Sequence, residues 1–484
     1  MKTSAFILFA ALLAASSLSV TGRAATRTID LCGRVTASGR GVTGVCVTDG
    51  RTIVRTDAKG RYRLPSDTEA EFVYLTLPDG YEIPAEAGAA AFYRRITGQE
   101  RRYDFALRRA GRDMTRHRLV LVADPQVYFE CELDSVRRAA DDMRLTAADG
   151  VPTLGVVCGD IIGDITRRPT LFGPVRDALA ESGVPFFYVF GNHDMDTDVR
   201  TNDYSKRSFK ERFGPTYYAF DRGKIHYVVL DDVFFLARSY LYAGYLEERQ
   251  LRWLEQDLAS VPAGSTVVVC LHIPTWSCAA RRGEWGKEQT NKVLNNRRAL
   301  YKLLEPYRAH IVSGHLHTTA NCEIGERLYE HNVAALSGAW WQGAICTDGT
   351  PAGYAVFEVD GGEVTWYYKS VGHPRSFQLK IYDSKDDEAF AGRVVANVWN
   401  CDPAWTVEMH ADGGRPVRME RTTAVDPQAR RLYADASKLD HKWITVTPSD
   451  HYYAAPLPAG TRRVEVMARD RFGNTYRAEK RINR

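Results

Sequence analysis

Hydrophobic positions along this chain change their period twice. From Thr26 to about Arg109 they alternate with polar ones in short runs, as in "LCGRVTASGRGVTGVCVTDG" and "RTIVRTDAKGRYRLP". Period two, broken by Gly, Asp and Pro, predicts short strands joined by tight turns, and no helix of useful length fits there. From His117 the apolar runs become continuous: "RLVLVADPQ", "TLGVVCGD", "PFFYVFGNHD", "STVVVCLHIP" and "AHIVSGHLHT". Between them, helical spacing recurs near Glu132 to Ala148, Thr170 to Glu181, Leu246 to Leu258 and Asn291 to Leu304. Buried strands alternating with helices predict a layered α/β domain, and the hairpin patterns "YYAFDRGKIHYVVLDD" and "YAVFEVDGGEVTWYYKSV" make its sheet mixed. Beyond about Arg375 the helical spacing stops and short strands with Gly and Pro turns run to Arg484. The expected order is a β-sandwich over 25–112, an α/β core over 113–375 and an all-β domain over 376–484.

The first residues follow another logic. Lys2 gives a short positive start, Ala5 to Val20 is mostly apolar, and small residues follow through Gly22, Ala24 and Ala25, which is the pattern of a secretory signal over 1–24. An exported chain, periplasmic or secreted, is therefore expected, and the run is shorter than the ~20 residues of a spanning helix, so no transmembrane anchor is expected. Losing Lys2 and Arg23 would take the formal net charge from +4 to +2. With 64 basic residues against 60 acidic ones and no long run of either, there is no nucleic-acid-binding patch. The nine cysteines are odd in number and lack CxxC spacing, so neither a disulfide framework nor a zinc knuckle is expected; Cys32 with Cys46 is the first pair to test for a bridge.

Chemistry concentrates by position. In the middle segment, hard-to-bury polar residues fall immediately after apolar strands: Asp124, Asp160, Asn192 with His193 and Asp194, His272, and His315 with His317. Ligands of open α/β sheets bind at the carboxyl ends of strands, so five segments would deliver these groups to one crevice. Each alone could be a turn cap or a satisfied core histidine. Together, carboxylates, an amide and imidazoles without thiolates suit a pair of divalent cations ~3.5–4 Å apart sharing one carboxylate.

In order, "DPQ" at Asp124, "GDIIGD" at Gly159, "GNHD" at Gly191, "HIP" at His272 and "GHLH" at Gly314 resemble the signature series of calcineurin-like metallophosphoesterases, over roughly Arg118 to Val371. The flanking segments look like the accessory domains of some bacterial members, and the first is similar to carboxypeptidase regulatory-like modules. The resemblance implies a four-layer αββα core and a metal-dependent phosphoric ester hydrolase with two divalent ions (Mn, Fe or Zn). It implies that Asp124, Asp160 and His317 hold one ion and that Asp160, Asn192, His272 and His315 hold the other. His193 is then the candidate acid for the leaving oxygen, with Asp164 or Asp194 orienting it. Two departures stand out: Gln126 occupies a position where the family commonly has His, and position 163 is Gly with the acid displaced to Asp164. Arg281 and Arg282, which could clamp phosphate, and Trp340 and Trp341, which could stack on a base or sugar, are candidate substrate groups. The partner implied is a phosphorylated substrate, monoester or diester. The rival reading is a non-catalytic envelope or glycan-binding protein whose metal site has decayed at Gln126. Because no metal-motif residue lies in it, deleting the N-terminal module up to about Arg109 is expected to leave soluble protein with measurable turnover on a small ester.

Overall fold

The computed structural model describes residues 28–277 and 289–482, so the expected signal segment 1–24, Arg281 and Arg282 lie outside the described residues. Its centre is a pair of stacked sheets. Strands Arg116–Val122, Thr153–Val157 and Phe186–Tyr188 run parallel within a seven-stranded sheet edged by the antiparallel pair Gly353–Asp360 and Glu363–Ser370. Strands Ile225–Val229, Thr266–Cys270, Arg308–Ser313 and Leu328–Asn332 run parallel in a six-stranded sheet. Both faces of these strands are covered, which is why their sequences read as continuous apolar runs. In Arg116–Val122, Leu119 and Leu121 join the core shared by the two sheets, while Val120 and Val122 join the core under the outer helices. Thr266–Cys270 divides the same way, Val268 and Cys270 inward, Val267 and Val269 outward.

Helices cover the outer faces. Leu133–Thr146 buries Val136, Ala139, Ala140 and Met143, one stripe at i, i+3, i+4 and i+7, and packs with Phe172–Ala180 on the first sheet. Glu248–Leu258 and Arg297–Leu304 cover the second. The layers are αββα, as expected. One helix is shorter than its spacing predicts: the stretch from Asn291 becomes helical only at Arg297. Asn295 Nδ2 donates to Gly244 O and Asn296 Nδ2 to Leu246 O, each at 2.8 Å, and such side-chain bonding to the backbone competes with helix formation.

The N-terminal sandwich packs two four-stranded sheets, and Arg61–Asp67 keeps the strict alternation with Tyr62, Leu64 and Ser66 buried. Cys32 and Cys46 are free thiols; they sit in different sheets, opposite Arg63 and Arg55 respectively, so the bridge considered for them is not formed. The sandwich is also less separable than its sequence suggests. Its hairpin Ala85–Glu86 and Ala89–Ala90 continues the seven-stranded sheet through pairing of Ala89 with Phe186. A single core holds its Leu31, Val47 and Phe92 with Phe187, Phe220 and Val268 of the middle domain.

The C-terminal domain keeps its own core, with Val394, Val407, Met409, Val464 and Val466 between two four-stranded sheets. It adds one short helix, Pro427–Leu432, started by Asp426, whose carboxylate accepts from Gln428 N and Ala429 N at 2.9 Å each, and by Pro at the first position. From this helix onward, Ala429, Tyr433, Leu439 and Ile444 pack on Ala339 and Ile345 of the middle domain. Among the described residues, no helix is long and apolar enough to cross a membrane.

Candidate metal centre

Five parallel strands of the two central sheets, Arg116–Val122, Thr153–Val157, Phe186–Tyr188, Thr266–Cys270 and Arg308–Ser313, are followed by polar residues that meet in a common crevice. The backbone there is unusual: Asp124, Gln126, Asp160, His315 and His317 all have φ between +43° and +70°. Non-glycine residues rarely adopt the left-handed region, and clusters of them mark places where surrounding structure enforces a shape. The loops also meet at glycines. A Cβ on Gly191 would lie 2.3 Å from Asp160 Oδ1, and one on Gly314 would lie 2.6 Å from Asp124 Oδ2. Only a bare backbone lets these strand ends come so close.

The predicted groups are brought together. Single ligand atoms of Asp160, His272 and His315 all lie within 4.8 Å of one another, and all three residues are buried. His272 donates from Nδ1 to Cys158 O (2.8 Å), which turns Nε2 toward Asp160 Oδ1 (3.3 Å) and Asn192 Oδ1 (2.9 Å). His315 donates from Nε2 to Asn291 O (2.8 Å), so its Nδ1 is the nitrogen left for the cluster. Asp124 accepts from His315 N (2.9 Å) and lies 3.6 Å from His317 Nε2. Asn192 Nδ2 donates to Tyr240 Oη at 2.8 Å, leaving Oδ1 inward.

Burial controls the protonation of this set. It pushes the Asp124 carboxyl up to about 8 and the His317 imidazole down to about 3. Burial opposes charge on Asp160 and His272 as well, but each stabilises the other: Asp160 is held below the ordinary carboxylate range and His272 is raised to about 10. Two buried carboxylates and three buried imidazoles form an oxygen- and nitrogen-rich pocket, which is the donor chemistry of divalent cations such as manganese, iron and zinc. Gln126 is buried and its Oε1 has no hydrogen-bond partner, an unsatisfied acceptor that a cation would satisfy. The residues fit a metal pair.

His193 takes its orientation from a different group than the sequence suggested. Its Nδ1 donates to Gly163 O at 2.6 Å, and its backbone N donates to Asp160 Oδ1 at 2.8 Å. Asp194 is instead a fastener: it accepts from Ile161 N (3.0 Å), Ile162 N (3.3 Å) and Gly191 N (3.0 Å), joining two of the loops. Asp164 faces outward, 3.3 Å from Arg167. Gly163 is bare because the Tyr128 ring fills the space a Cβ would need, at 2.4 Å. The two tryptophans divide: Trp340 stacks on His317 (centroids 4.2 Å apart, 23° between planes), whereas Trp341 donates from its indole to Pro125 O (2.9 Å) and so braces the Asp124 loop rather than lining the crevice.

Three neighbours escaped the sequence reading. Asp232 accepts from His272 N (3.2 Å) and Ile273 N (3.0 Å), and burial pushes its carboxyl up to about 7. It follows strand Ile225–Val229, so the same strand-end rule points to it. Tyr128 and Tyr240 flank His193, with ring centroids 6.2 and 5.4 Å away, and no spacing rule singles them out.

Family models match three consecutive stretches: the N terminal of calcineurin-like phosphoesterase over residues 29–110, calcineurin-like phosphoesterase over 117–319, and the C terminal of calcineurin-like phosphoesterase over 330–476. The chain belongs to the calcineurin-like phosphoesterases, metal-dependent hydrolases of phosphoric esters. Solved structures to which it is similar include a dimetal phosphatase from Danio rerio, with 17% identity and a TM-score of 0.38 over 52% of this chain and 96% of that one. A purple acid phosphatase from yellow lupin (12%, TM-score 0.36) and a 5'-nucleotidase from Candida albicans (11%, TM-score 0.32) each align over 53% of this chain and 52% of their own. Comparison with curated proteins gives no match.

Proposed function

We propose that this chain hydrolyses phosphoesters outside the cytoplasm, with Asp124, Asp160, Asn192, His272, His315 and His317 holding two divalent cations and Gln126 facing the first of them. The observation that carries the reading is the convergence of these side chains, from five strand ends, on one buried crevice wound in left-handed backbone. When bound, two such cations supply Lewis acidity to the phosphoryl oxygens and to the attacking water. Asp160, with two carboxylate oxygens, is the residue suited to lie between them, since a neutral imidazole has one free lone pair.

The chain's own acid is His193. Its Nδ1 is committed to the Gly163 carbonyl, so a second proton on Nε2 is the one available to a leaving alkoxide. Asp194 holds the loop that carries His193, and Asp232 holds the strand end that carries His272. His193→Gln should lower turnover by ~10²–10⁴-fold while both metal equivalents stay bound. The loss should be larger on an alkyl ester than on a nitrophenyl ester, whose leaving group needs no proton. Loss of a metal equivalent in that variant would make His193 a ligand. Asp160→Ala should lose both equivalents, and retention of one would remove it from the bridging position. Absence of turnover with any divalent ion on monoesters and diesters alike, with glycan binding in its place, would support the non-catalytic rival. The short positive start and apolar run over 1–24 support export, and the amino terminus of protein recovered from the periplasm or medium tests it.

A further inference from the structure

The crevice has a wall that the middle domain does not make alone. Tyr128 lies beside His193, with its hydroxyl 3.4 Å from Nδ1, and Glu132 fixes its loop by accepting from Tyr128 N (2.7 Å) and Phe129 N (3.1 Å). On the other side of Tyr128 sits a ring from the C-terminal domain, His441, at 4.3 Å between centroids. His441 continues to Trp443 (4.6 Å), and Trp443 reaches Trp340 edge to face at 6.3 Å. Trp340 returns to the crevice by stacking on His317. A run of four rings, two from each domain, thus begins on the candidate acid and ends on a candidate ligand.

The wall holds unsatisfied polar edges. His441 is 4% exposed and its Nε2 has no hydrogen-bond partner; Trp340 Nε1 is likewise buried without one. Trp443 is the opposite, 56% exposed, a large flat face left in water at the rim of a phosphoester site. Loss of hydration of an exposed indole face on stacking is favourable. The domain contact that presents these rings is specific: Gln342 and Asp440 exchange two hydrogen bonds (3.1 and 2.9 Å), Tyr433 Oη donates to Ile345 O, and Thr447 N donates to Thr347 O (3.0 Å).

We infer that His441 and Trp443 of the C-terminal domain, with Tyr128 and Trp340, form a specificity wall for a phosphoester whose organic group carries a planar ring. The inference rests on the phosphoester reading of the crevice and names what lies beyond the phosphate. A ring stacked on the exposed face of Trp443 would lie at the rim while the phosphate stays at the strand ends. The segment 427–446 is then part of the substrate site, although it lies more than a hundred residues beyond the last metal motif.

The test is binding, measured by calorimetry on the mature full chain loaded with Mn²⁺, so that no turnover is needed. Probes are 1-naphthyl phosphate, glucose 6-phosphate and glycerol 2-phosphate. Trp443→Ala removes an exposed side chain and leaves the fold intact. It should weaken 1-naphthyl phosphate by roughly 3- to 10-fold more than it weakens glycerol 2-phosphate. His441→Phe, which keeps a ring beside Trp443, should spare 1-naphthyl phosphate, whereas His441→Ala, which removes it, should weaken that probe more than glycerol 2-phosphate. Equal losses for all probes, or none, would overturn the wall and leave the phosphoester reading standing. A loss as large for glucose 6-phosphate as for 1-naphthyl phosphate would replace the planar ring by a pyranose and overturn the assignment of class. Failure of the metal-loaded wild type to bind any phosphate would defeat the phosphoester reading itself.

Discussion

The two domains flanking the catalytic core are both β-rich, yet they are attached in opposite ways. The N-terminal sandwich shares its interior with the core: Phe92 lies 4.5 Å from Tyr218 and 5.8 Å from Phe187, and one of its hairpins extends the core's sheet. Among the described residues it contributes none of the groups named in the crevice. The C-terminal domain has an interior of its own and meets the core through a smaller, mixed contact: Ala429, Tyr433, Leu439 and Ile444 pack on Ala339 and Ile345, Trp399 joins the central core, and polar pairs such as Arg471 with Glu323 (2.6 Å) and His451 with Asp348 (3.1 Å) surround them. It is this second domain that reaches the crevice. Continuous apolar burial stabilises without informing chemistry; a smaller, mixed contact stabilises less and is free to carry a binding surface.

The largest effect should follow from breaking the shared interior. Removing residues 25–112 from the mature chain would expose Phe187, Phe220 and the free edge of strand Phe186–Tyr188, so the remainder should not be recovered as soluble, folded protein. Phe92→Ala, a gentler version, should lower unfolding free energy by about 3–5 kcal/mol in a denaturant titration. A soluble, fully active truncation would show the sandwich to be an add-on after all.

A pH titration should find the same seam. His226 is buried and burial disfavours its charge, but the carboxylates of Asp257 (2.7 Å) and Asp221 (2.8 Å) outweigh that and raise its pKa to about 10. Asp257 also accepts from Thr76 of the sandwich. Because the folded value lies above the unfolded ~6.5, this stabilisation is complete below about 6.5 and is lost as pH rises toward 10. Melting temperatures between pH 7 and 10 should fall in the wild type and fall less in Asp257→Asn.

The smallest thermal effect belongs to the other domain. Gln342→Ala removes two exposed hydrogen bonds and should cost about 1 kcal/mol or less. If docking there positions His441 and Trp443, the variant should still alter the ratio of affinities for ring-bearing and ring-free phosphates. A change in melting temperature without a change in that ratio would make the contact purely structural.

What the sequence revealed, and what it hid, follows from the same physics. Strand ends were legible because an apolar run followed by Asp, Asn or His is a local pattern, and it served for Asp124, Asp160 and His315 equally. Asp232 obeys the pattern and was overlooked only because it closes a hairpin. His441 and Trp443 were not legible at all: they lie in an irregular segment without period, and only the docking of a separate domain gives them a neighbour. The orienting partner of His193 was equally hidden, since a backbone carbonyl has no side-chain identity to read.

The left-handed turns at the crevice carry one more consequence, for how such a site changes over time. Loop shape there is imposed by the close packing of Gly191 and Gly314 against the two carboxylates and by the Asp194 fastener, so the curve at position 126 is set by residues other than Gln126 itself. A residue such as Gln126 can therefore be exchanged for another unbranched or ring side chain, histidine included, and retune affinity for the metal without disturbing its neighbours. A β-branched residue at the same place would be refused by the backbone itself, whatever its chemistry. The history open to this centre is one of substituted donors on an inherited curve.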